Sequence, residues 1–137
     1  MKHFLTSIGT PIVESKSGKT LTKVSDLVFD TEKGLLQAVI TDSNTILFFS
    51  DVYKWGTKIH IKSDIFLHSF ANAPSIQKIL EQETSIVGNK AMDENDIFLG
   101  YCEDFSFHEK NRCAYFDCDE KKFFRIFLCK ALCYLIQ

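Results

Sequence analysis

The sequence has 137 residues, of which 45% are hydrophobic and 25% charged, with a formal net charge of −2. This composition excludes a disordered chain, because it supplies enough apolar side chains, 13 Phe among them, to form a core. The charges are nearly balanced in residues 1–68 and mildly acidic in residues 83–137. Neither region has the basic excess that binding to a phosphate backbone needs, so we expect no direct contact with nucleic acid.

Short β-rich runs alternate with turn residues through the first half of the chain. Residues 21–41 are typical of a hairpin whose turn contains Gly34, and Lys58-Ile59-His60-Ile61-Lys62 alternates strictly between polar and apolar side chains. The predicted strands cover residues 12–13, 21–30, 35–41, 45–49 and 58–62. Closing so many short strands into a small barrel would remove their exposed edges, and we therefore predict a β-barrel here.

A helix is predicted after the last of these strands. Asn72-Ala73-Pro74 is a helix-entry signal, and Ile76, Ile79 and Leu80 follow at helical spacing. The helix is expected to end near Gln82. We interpret residues 71–82 as a linker between a first module, residues 1–70, and a second module, residues 83–137.

The second half of the chain repeats the first. Ile8-Gly9 corresponds to Val87-Gly88, and Leu21–Asp26 corresponds to Leu99–Asp104, which lies 78 residues later. The loop between these two segments is one residue shorter in the second copy. Arg112 replaces the turn glycine Gly34, and at this offset the last residue, Gln137, corresponds to Ile59. We therefore expect the second module to be diverged and incomplete.

Several segments of the first copy resemble the PRC-barrel family. They are Gly9-Thr10-Pro11-Ile12-Val13, Lys23–Asp30 with Gly34, Phe48–Val52 and Ile59–Ile61. The resemblance covers residues 8–68 and, more weakly, residues 87–136. It implies a mostly β protein of two small PRC-barrel-like β-barrels joined by a short helix.

The resemblance also carries expectations about function. It implies barrels that bind other proteins, and it brings no shared catalytic residues. Asp26 and Asp104 match the most typical polar position of the family, and we expect them to accept hydrogen bonds from backbone N–H groups. The family includes a domain of a bacterial ribosome-maturation factor, which suggests an alternative role for this chain.

The residues that could support catalysis or metal binding do not form a recognisable pattern. Cys102, Cys113, Cys118, Cys129 and Cys133 all lie in the second half, and buried cysteines of this kind behave as small apolar side chains more often than as zinc ligands. Asp93-Glu94-Asn95-Asp96 lacks the glycine and glutamate of a calcium loop. The four histidines are scattered, and no phosphate-binding or nucleophile motif occurs. We expect no catalytic residue, no metal and no cofactor.

Two regions remain as candidates for binding a partner. Trp55 precedes a Gly turn and is typical either of an exposed anchor or, as we favour, of a plug at one end of the barrel. The composition of the apolar run from Phe123 to Ile136 is compatible with a strand or with a helix. Its side chains suit either the core of the second module or an interface with a partner. The candidate partner-binding residues are Trp55, Phe124, Phe127, Leu132 and Tyr134.

These observations predict a non-catalytic protein-binding or assembly adaptor, a role compatible with self-association. The alternative is an accessory factor in ribosome or RNA-particle maturation that acts through a ribosomal protein. The odd number of cysteines and the start of the sequence, without a long apolar run, predict a cytoplasmic protein. The C-terminal run is too short and too charged to span a membrane.

Overall fold

The computed structural model describes residues 2–30, 33–82, 90–92, 97–108, 114–118 and 125–127. Within these ranges the chain is mostly β, as predicted. The strands are β1 (Lys2–His3), β2 (Pro11–Glu14), β3 (Thr20–Asp30), β4 (Leu35–Thr41), β5 (Thr45–Phe48), β6 (Lys54–Trp55), β7 (Ile59–Ile61), β8 (His68–Ser69), β9 (Lys90–Met92), β10 (Phe98–Phe107), β11 (Ala114–Cys118) and β12 (Arg125–Phe127). The α-helices are α1 (Phe4–Ser7) and α2 (Pro74–Gln82), and single 3₁₀ turns lie at Phe49–Asp51, Asp64–Phe66 and Phe70–Asn72.

The chain divides into two compact units that are not contiguous in sequence. The N-terminal unit contains residues 6–29 and 37–81, and the C-terminal unit contains residues 1–5, 30–36 and 82–137. The start of the chain and the tip of the β3–β4 hairpin therefore belong to the C-terminal unit. The predicted boundaries at residues 70 and 83 describe a simpler, tandem arrangement and stay a prediction.

A seven-stranded sheet lies mainly in the N-terminal unit, with the order β6-β7-β2-β3-β4-β5-β8. The predicted hairpin over residues 21–41 is present as β3 and β4. Its turn closes where the Gly34 N–H donates to the Asp30 carbonyl oxygen over 2.7 Å, and the Lys33 N–H donates to Asp30 Oδ1 over 3.2 Å. Gly34 has a φ of 66°, a left-handed conformation that glycine adopts at little cost.

Helix α2 packs onto this sheet and completes a core of the N-terminal unit. Ile76 of the helix is 2% exposed, and Ile79 and Leu80 pack at the edge of the same cluster. The buried members of the cluster are Val28, Ala38, Ile46, Ala73 and Ile76. The predicted helix is thus confirmed, and its apolar face makes it part of this core, while its role as a linker stays a prediction.

The sheet of the C-terminal unit is built around β10. The first residues of β10 pair with β9, and its later residues pair with β11, which continues the sheet to β12. Strand β1, from the start of the chain, pairs with the end of β10, with Lys2 opposite Phe107 and His3 opposite Ser106.

The repeat seen in the sequence reappears in the strand pairing. In the first copy β3 skips Leu21 in its pairing with β2, and in the second copy β10 skips Leu99 in its pairing with β9. The opposed residues are Thr20–Val13, Thr22–Ile12 and Lys23–Pro11 in the first copy, and Phe98–Met92, Gly100–Ala91 and Tyr101–Lys90 in the second. Both copies therefore have the same register and a β-bulge at the same position.

The strands that follow agree in the same way. Ala38 lies opposite Phe48 in the β4–β5 pair, and Phe116 lies opposite Ile126 in the β11–β12 pair. Each residue of the second pair lies 78 positions after its equivalent in the first. Strands β2 to β5 and strands β9 to β12 thus form two copies of one four-stranded element.

The pairing among the described residues leaves both sheets open. The larger sheet runs from β6 to β8 without a hydrogen-bonded pairing between these two end strands. The mostly β prediction is therefore confirmed, and the arrangement as two barrels stays a prediction.

Candidate partner-binding surface

Three large apolar side chains lie exposed at the start of β10. Ile97, Phe98 and Tyr101 have exposed fractions of 53%, 37% and 43%, and we call them the β10 patch. The rings of Phe98 and Tyr101 meet edge to face, with centroids 5.6 Å apart and an interplanar angle of 77°. This is a favourable aromatic geometry, so the patch is an organised apolar surface.

The β-bulge brings the two rings together. In a regular strand, residues three positions apart point to opposite faces of the sheet. The register shift between Phe98 and Gly100 adds one residue to this part of β10, which allows Phe98 and Tyr101 to meet. Gly100 has a φ of 119°, a value that side-chain-bearing residues rarely adopt, so glycine suits this bulge.

The first copy has a β-bulge in the same register and shows what that register presents without such a patch. Ile97, Phe98 and Tyr101 correspond to Lys19, Thr20 and Lys23, at an offset of 78 residues. All three first-copy residues are exposed. The fold of the β-bulge is therefore compatible with a polar surface, and the apolar side chains of the second copy are not required to form it.

Trp55 lies inside the N-terminal unit. Its side chain is 8% exposed, and its ring lies 6.4 Å from the ring of Phe49 between centroids. In β6 it lies opposite Ile59, which is fully buried. The candidate role of Trp55 as an exposed anchor is therefore corrected: its side chain points with Ile59 toward the core, in agreement with the favoured interior position.

The exposed aromatic residue of this segment is Tyr53, two positions earlier. It is 63% exposed, its N–H donates to the His60 carbonyl oxygen over 2.8 Å, and Lys62 Nζ lies 5.6 Å from its ring centroid. Lys54 on β6 and Lys62 are also exposed. Lysines along a short edge strand discourage pairing with another chain, so we interpret this surface as a protected edge.

The other predicted binding residues belong to the C-terminal run. Phe127 lies on β12, opposite Tyr115 of β11. Phe124, Leu132 and Tyr134 lie outside the described residues, as does the acidic segment 93–96. Their predicted roles stay predictions.

The two equivalent aspartates both accept a backbone hydrogen bond, as expected. Asp26 Oδ1 accepts from the N–H of its neighbour Leu27 over 2.8 Å. Asp104 Oδ1 accepts from the N–H of Leu5 over 3.2 Å, and Asp104 Oδ2 lies 3.9 Å from His3 Nδ1. Asp26 therefore acts locally, whereas Asp104 ties the first residues of the chain to β10.

The described part of the chain contains no group of three or more His, Cys, Asp or Glu residues that could hold a metal ion. Of the five cysteines, Cys102 and Cys118 are described, and they lie opposite each other in the β10–β11 pair.

Among the described helices, none is long and apolar enough to cross a membrane.

The β10 patch could not be predicted from apolar runs, because its three residues are not part of a long one. The signal was nevertheless present in the repeat. Aligning the copies at the 78-residue offset places Ile97, Phe98 and Tyr101 on two lysines and a threonine, a change from polar to apolar at three nearby positions.

No family model matches this chain, and no curated protein matches it significantly.

Proposed function

We propose that the protein is a non-catalytic protein-binding module, an assembly adaptor built on two PRC-barrel-like modules, and that its partner binds the β10 patch. The observation that carries this proposal is the contrast between matched positions of the two copies. Lys19, Thr20 and Lys23 keep the first copy polar, whereas the second copy exposes three large apolar side chains on the same bulged strand.

This contrast argues for binding because the apolar residues bring the fold no visible advantage. A tolerated alternative exists in the same molecule, and clustered apolar groups on a surface favour association with other molecules. Tyrosine and other aromatic residues are frequent among the few side chains that dominate binding energy. A pair of rings already held in contact also loses little side-chain freedom when a partner binds.

The resemblance to the PRC-barrel family supports the same class of function, because it implies protein binding without shared catalytic residues. The sequence of the C-terminal unit carries 12 acidic and 9 basic residues. A partner with a basic rim around an apolar centre would complement both this charge and the patch. We place this activity in the cytoplasm, where reducing conditions suit five cysteines confined to one half of the chain.

The test uses the residues of the first copy as replacements. The triple variant Ile97→Lys, Phe98→Thr and Tyr101→Lys converts the patch into its own polar counterpart. Tagged wild-type and variant chains are used to capture partners from cell extract, and each captured protein is then titrated by calorimetry. We expect the triple variant to bind the partner at least ~10-fold more weakly, because losing ~1.4 kcal/mol of binding energy has that effect.

The variant Tyr53→Thr is the matched control, since it removes a more exposed aromatic residue from the N-terminal unit. It is expected to leave the affinity unchanged. Circular dichroism and thermal melting confirm that each variant is folded. Equal capture by the wild-type chain and the triple variant would reject the patch as the binding surface.

The identity of a patch-dependent partner decides between the two adaptor roles. A ribosomal protein that is lost with the triple variant would favour the alternative role in ribosome or RNA-particle maturation. Any other protein with the same dependence would favour a different assembly.

A further inference from the structure

We propose that Cys102 and Cys118 form a redox modification site, at which a peroxide converts the two thiols into a reversible disulfide between strands β10 and β11. The two residues lie directly opposite each other in the antiparallel β10–β11 pair. The site is separate from the β10 patch and does not depend on the proposed binding function.

Opposed positions of an antiparallel pair have the separation that a disulfide needs. Directly opposed residues have Cα atoms about 4.5–5.5 Å apart and share one face of the sheet. Disulfides join residues whose Cα atoms are about 4.4–6.8 Å apart. The register of Cys102 with Cys118 therefore meets the backbone requirement, and the bond forms without separating the two strands.

A register shift in β10 creates this opposition. The pairing is regular as far as Asp104 opposite Asp117, and beyond it the register shifts, with Glu103 as the additional residue of β10. Without the shift, Cys102 would lie opposite position 119, which is an aspartate. Regular pairing would thus set the two cysteines one position apart, whereas the β-bulge aligns them.

The first copy shows that this fold does not require cysteine at these positions. At the 78-residue offset Cys102 corresponds to Val24 and Cys118 to Ile40, and residues 1–101 contain no cysteine. Val24 is buried, and Ile40 packs against the core of the N-terminal unit. Since cysteine is smaller than valine or isoleucine, a need to fill space does not explain the exchange at both positions. A bond between two sulfur atoms requires both.

Hydrogen peroxide serves as the oxidant, and the atoms balance. One thiolate attacks a peroxide oxygen, so that an S–O bond forms, the O–O bond breaks and the released hydroxide takes up a proton to become water. The second thiolate attacks the sulfenic sulfur, so that the S–S bond forms, the S–O bond breaks and hydroxide leaves as water with the second proton. Two thiols thus lose two electrons and two protons, and one peroxide becomes two water molecules.

The disulfide is expected to be reversible in a reducing compartment. Two molecules of a small thiol such as glutathione return two electrons and two protons and are themselves joined in a disulfide. Cytosolic disulfides are mostly of this transient, redox-sensing kind. The bond ties β10 to β11 one residue after Tyr101, so oxidation restrains the bulged part of β10.

Peptide mapping of the oxidised full chain tests the site. The folded protein is treated with an equimolar amount of hydrogen peroxide, its remaining thiols are blocked with N-ethylmaleimide in denaturant, and the chain is cleaved with trypsin. Cys102 is then in the peptide 91–110, and Cys113 and Cys118 share the peptide 113–121. We expect the two peptides to be joined, with a mass two hydrogen atoms below their sum. Glutathione is expected to separate them when it is added before the thiols are blocked.

Substitution by first-copy residues identifies the cysteine that Cys102 joins. In Cys118→Ile we expect the amount of joined peptide to fall at least ~10-fold, because the opposed thiol is removed. Cys113→Leu is the matched control, since Leu35 is the first-copy equivalent, and it is expected to keep the wild-type amount. Circular dichroism confirms that both variants are folded.

A second digestion gives the same information from the wild-type chain alone. Chymotrypsin cleaves after Phe116 and so separates Cys113 from Cys118. We expect Cys102 to be joined to the fragment 117–121. A bond from Cys102 to the fragment that contains Cys113, or a wild-type chain in which the two tryptic peptides are never joined, would overturn the proposal.

Discussion

The two copies of the four-stranded element differ in a reciprocal way. On the outside, the second copy exposes Ile97, Phe98 and Tyr101 where the first has polar residues. On the inside, the first copy has Val28, which is fully buried, and the second has Ser106 at the equivalent position, also fully buried. Within the described residues the Ser106 hydroxyl has no hydrogen-bond partner. At these matched positions the second copy is therefore more apolar at the surface and more polar in the interior.

This difference shows that two copies of a duplicated fold can keep one strand register and yet have different residues at their surface and in their interior. Burying an unpaired hydroxyl and exposing apolar side chains both oppose stability and solubility, and the strand register survives both. Natural proteins accept such local costs mostly where function requires them. The first copy thus provides the reference against which the proposed binding role of the second can be tested.

The largest expected effect tests what the copies share. Phe29 and Phe107 are equivalent and are 1% and 0% exposed. We expect Phe29→Ala and Phe107→Ala each to lower the free energy of unfolding by ~3–5 kcal/mol, because both leave a large cavity. Urea unfolding followed by fluorescence and circular dichroism measures this loss. A loss below ~1 kcal/mol at Phe107 alone would break the structural equivalence of the copies.

A smaller loss is expected when the first copy receives the buried serine of the second. Val28→Ser removes two methyl groups from the core beside Ile76 and introduces a hydroxyl. The combined cost is about 3 kcal/mol, measured as the decrease in the free energy of unfolding. The control Val28→Ala leaves a comparable space without the hydroxyl and is expected to cost less. Equal costs for both variants would indicate that the hydroxyl finds a hydrogen-bond partner.

The reciprocal substitution is expected to stabilise the protein. Ser106→Val replaces an unpaired buried hydroxyl with the side chain of the first copy and should raise the free energy of unfolding by ~1–2 kcal/mol. Thermal melting gives a convenient first measurement, with an expected increase of a few degrees. Ser106→Thr, which retains the hydroxyl, is the control. Greater stability in Ser106→Thr than in Ser106→Val would contradict an unpaired hydroxyl.

The smallest effect separates the two equivalent aspartates. Asp104→Ala loses the hydrogen bond from Leu5 that caps the start of α1, and a cost of ~1 kcal/mol is typical of such caps. Asp26 is exposed and accepts a hydrogen bond from the adjacent residue Leu27, so Asp26→Ala is expected to stay within ~0.5 kcal/mol of the wild-type chain. Both values come from chemical denaturation. The reverse order would show that Asp26 also holds a distant segment.

Much of the fold could be predicted from the sequence, because its local signals agree with the structure. Gly34 marked the hairpin turn, Pro74 the helix start, and the 78-residue offset anticipated both the strand pairs and the shortened loop. The division into non-contiguous units could not be predicted from these local signals. Lys2 and His3 form too short a strand to show periodicity, and their pairing with β10 depends on contacts about 100 residues away.

The binding candidates show a similar limit. Trp55 was a binding candidate because it is a large aromatic residue. It is buried because it lies opposite the buried Ile59 in the β6–β7 pair. The exposed rings of Phe98 and Tyr101 depend on a bulge that reverses the expected alternation. Period-two reasoning places such residues on opposite faces, so they are recognised only by comparing the copies or by knowing the register.

The attachment of β1 to β10 also has a consequence for synthesis of the chain. Lys2 and His3 are translated about 100 residues before their partners Ser106 and Phe107. At a translation rate of ~5–20 residues per second, this strand waits for ~5–20 s. The N-terminal unit is translated almost completely in that interval. Strand β1 is thus made long before β10, its partner strand, exists.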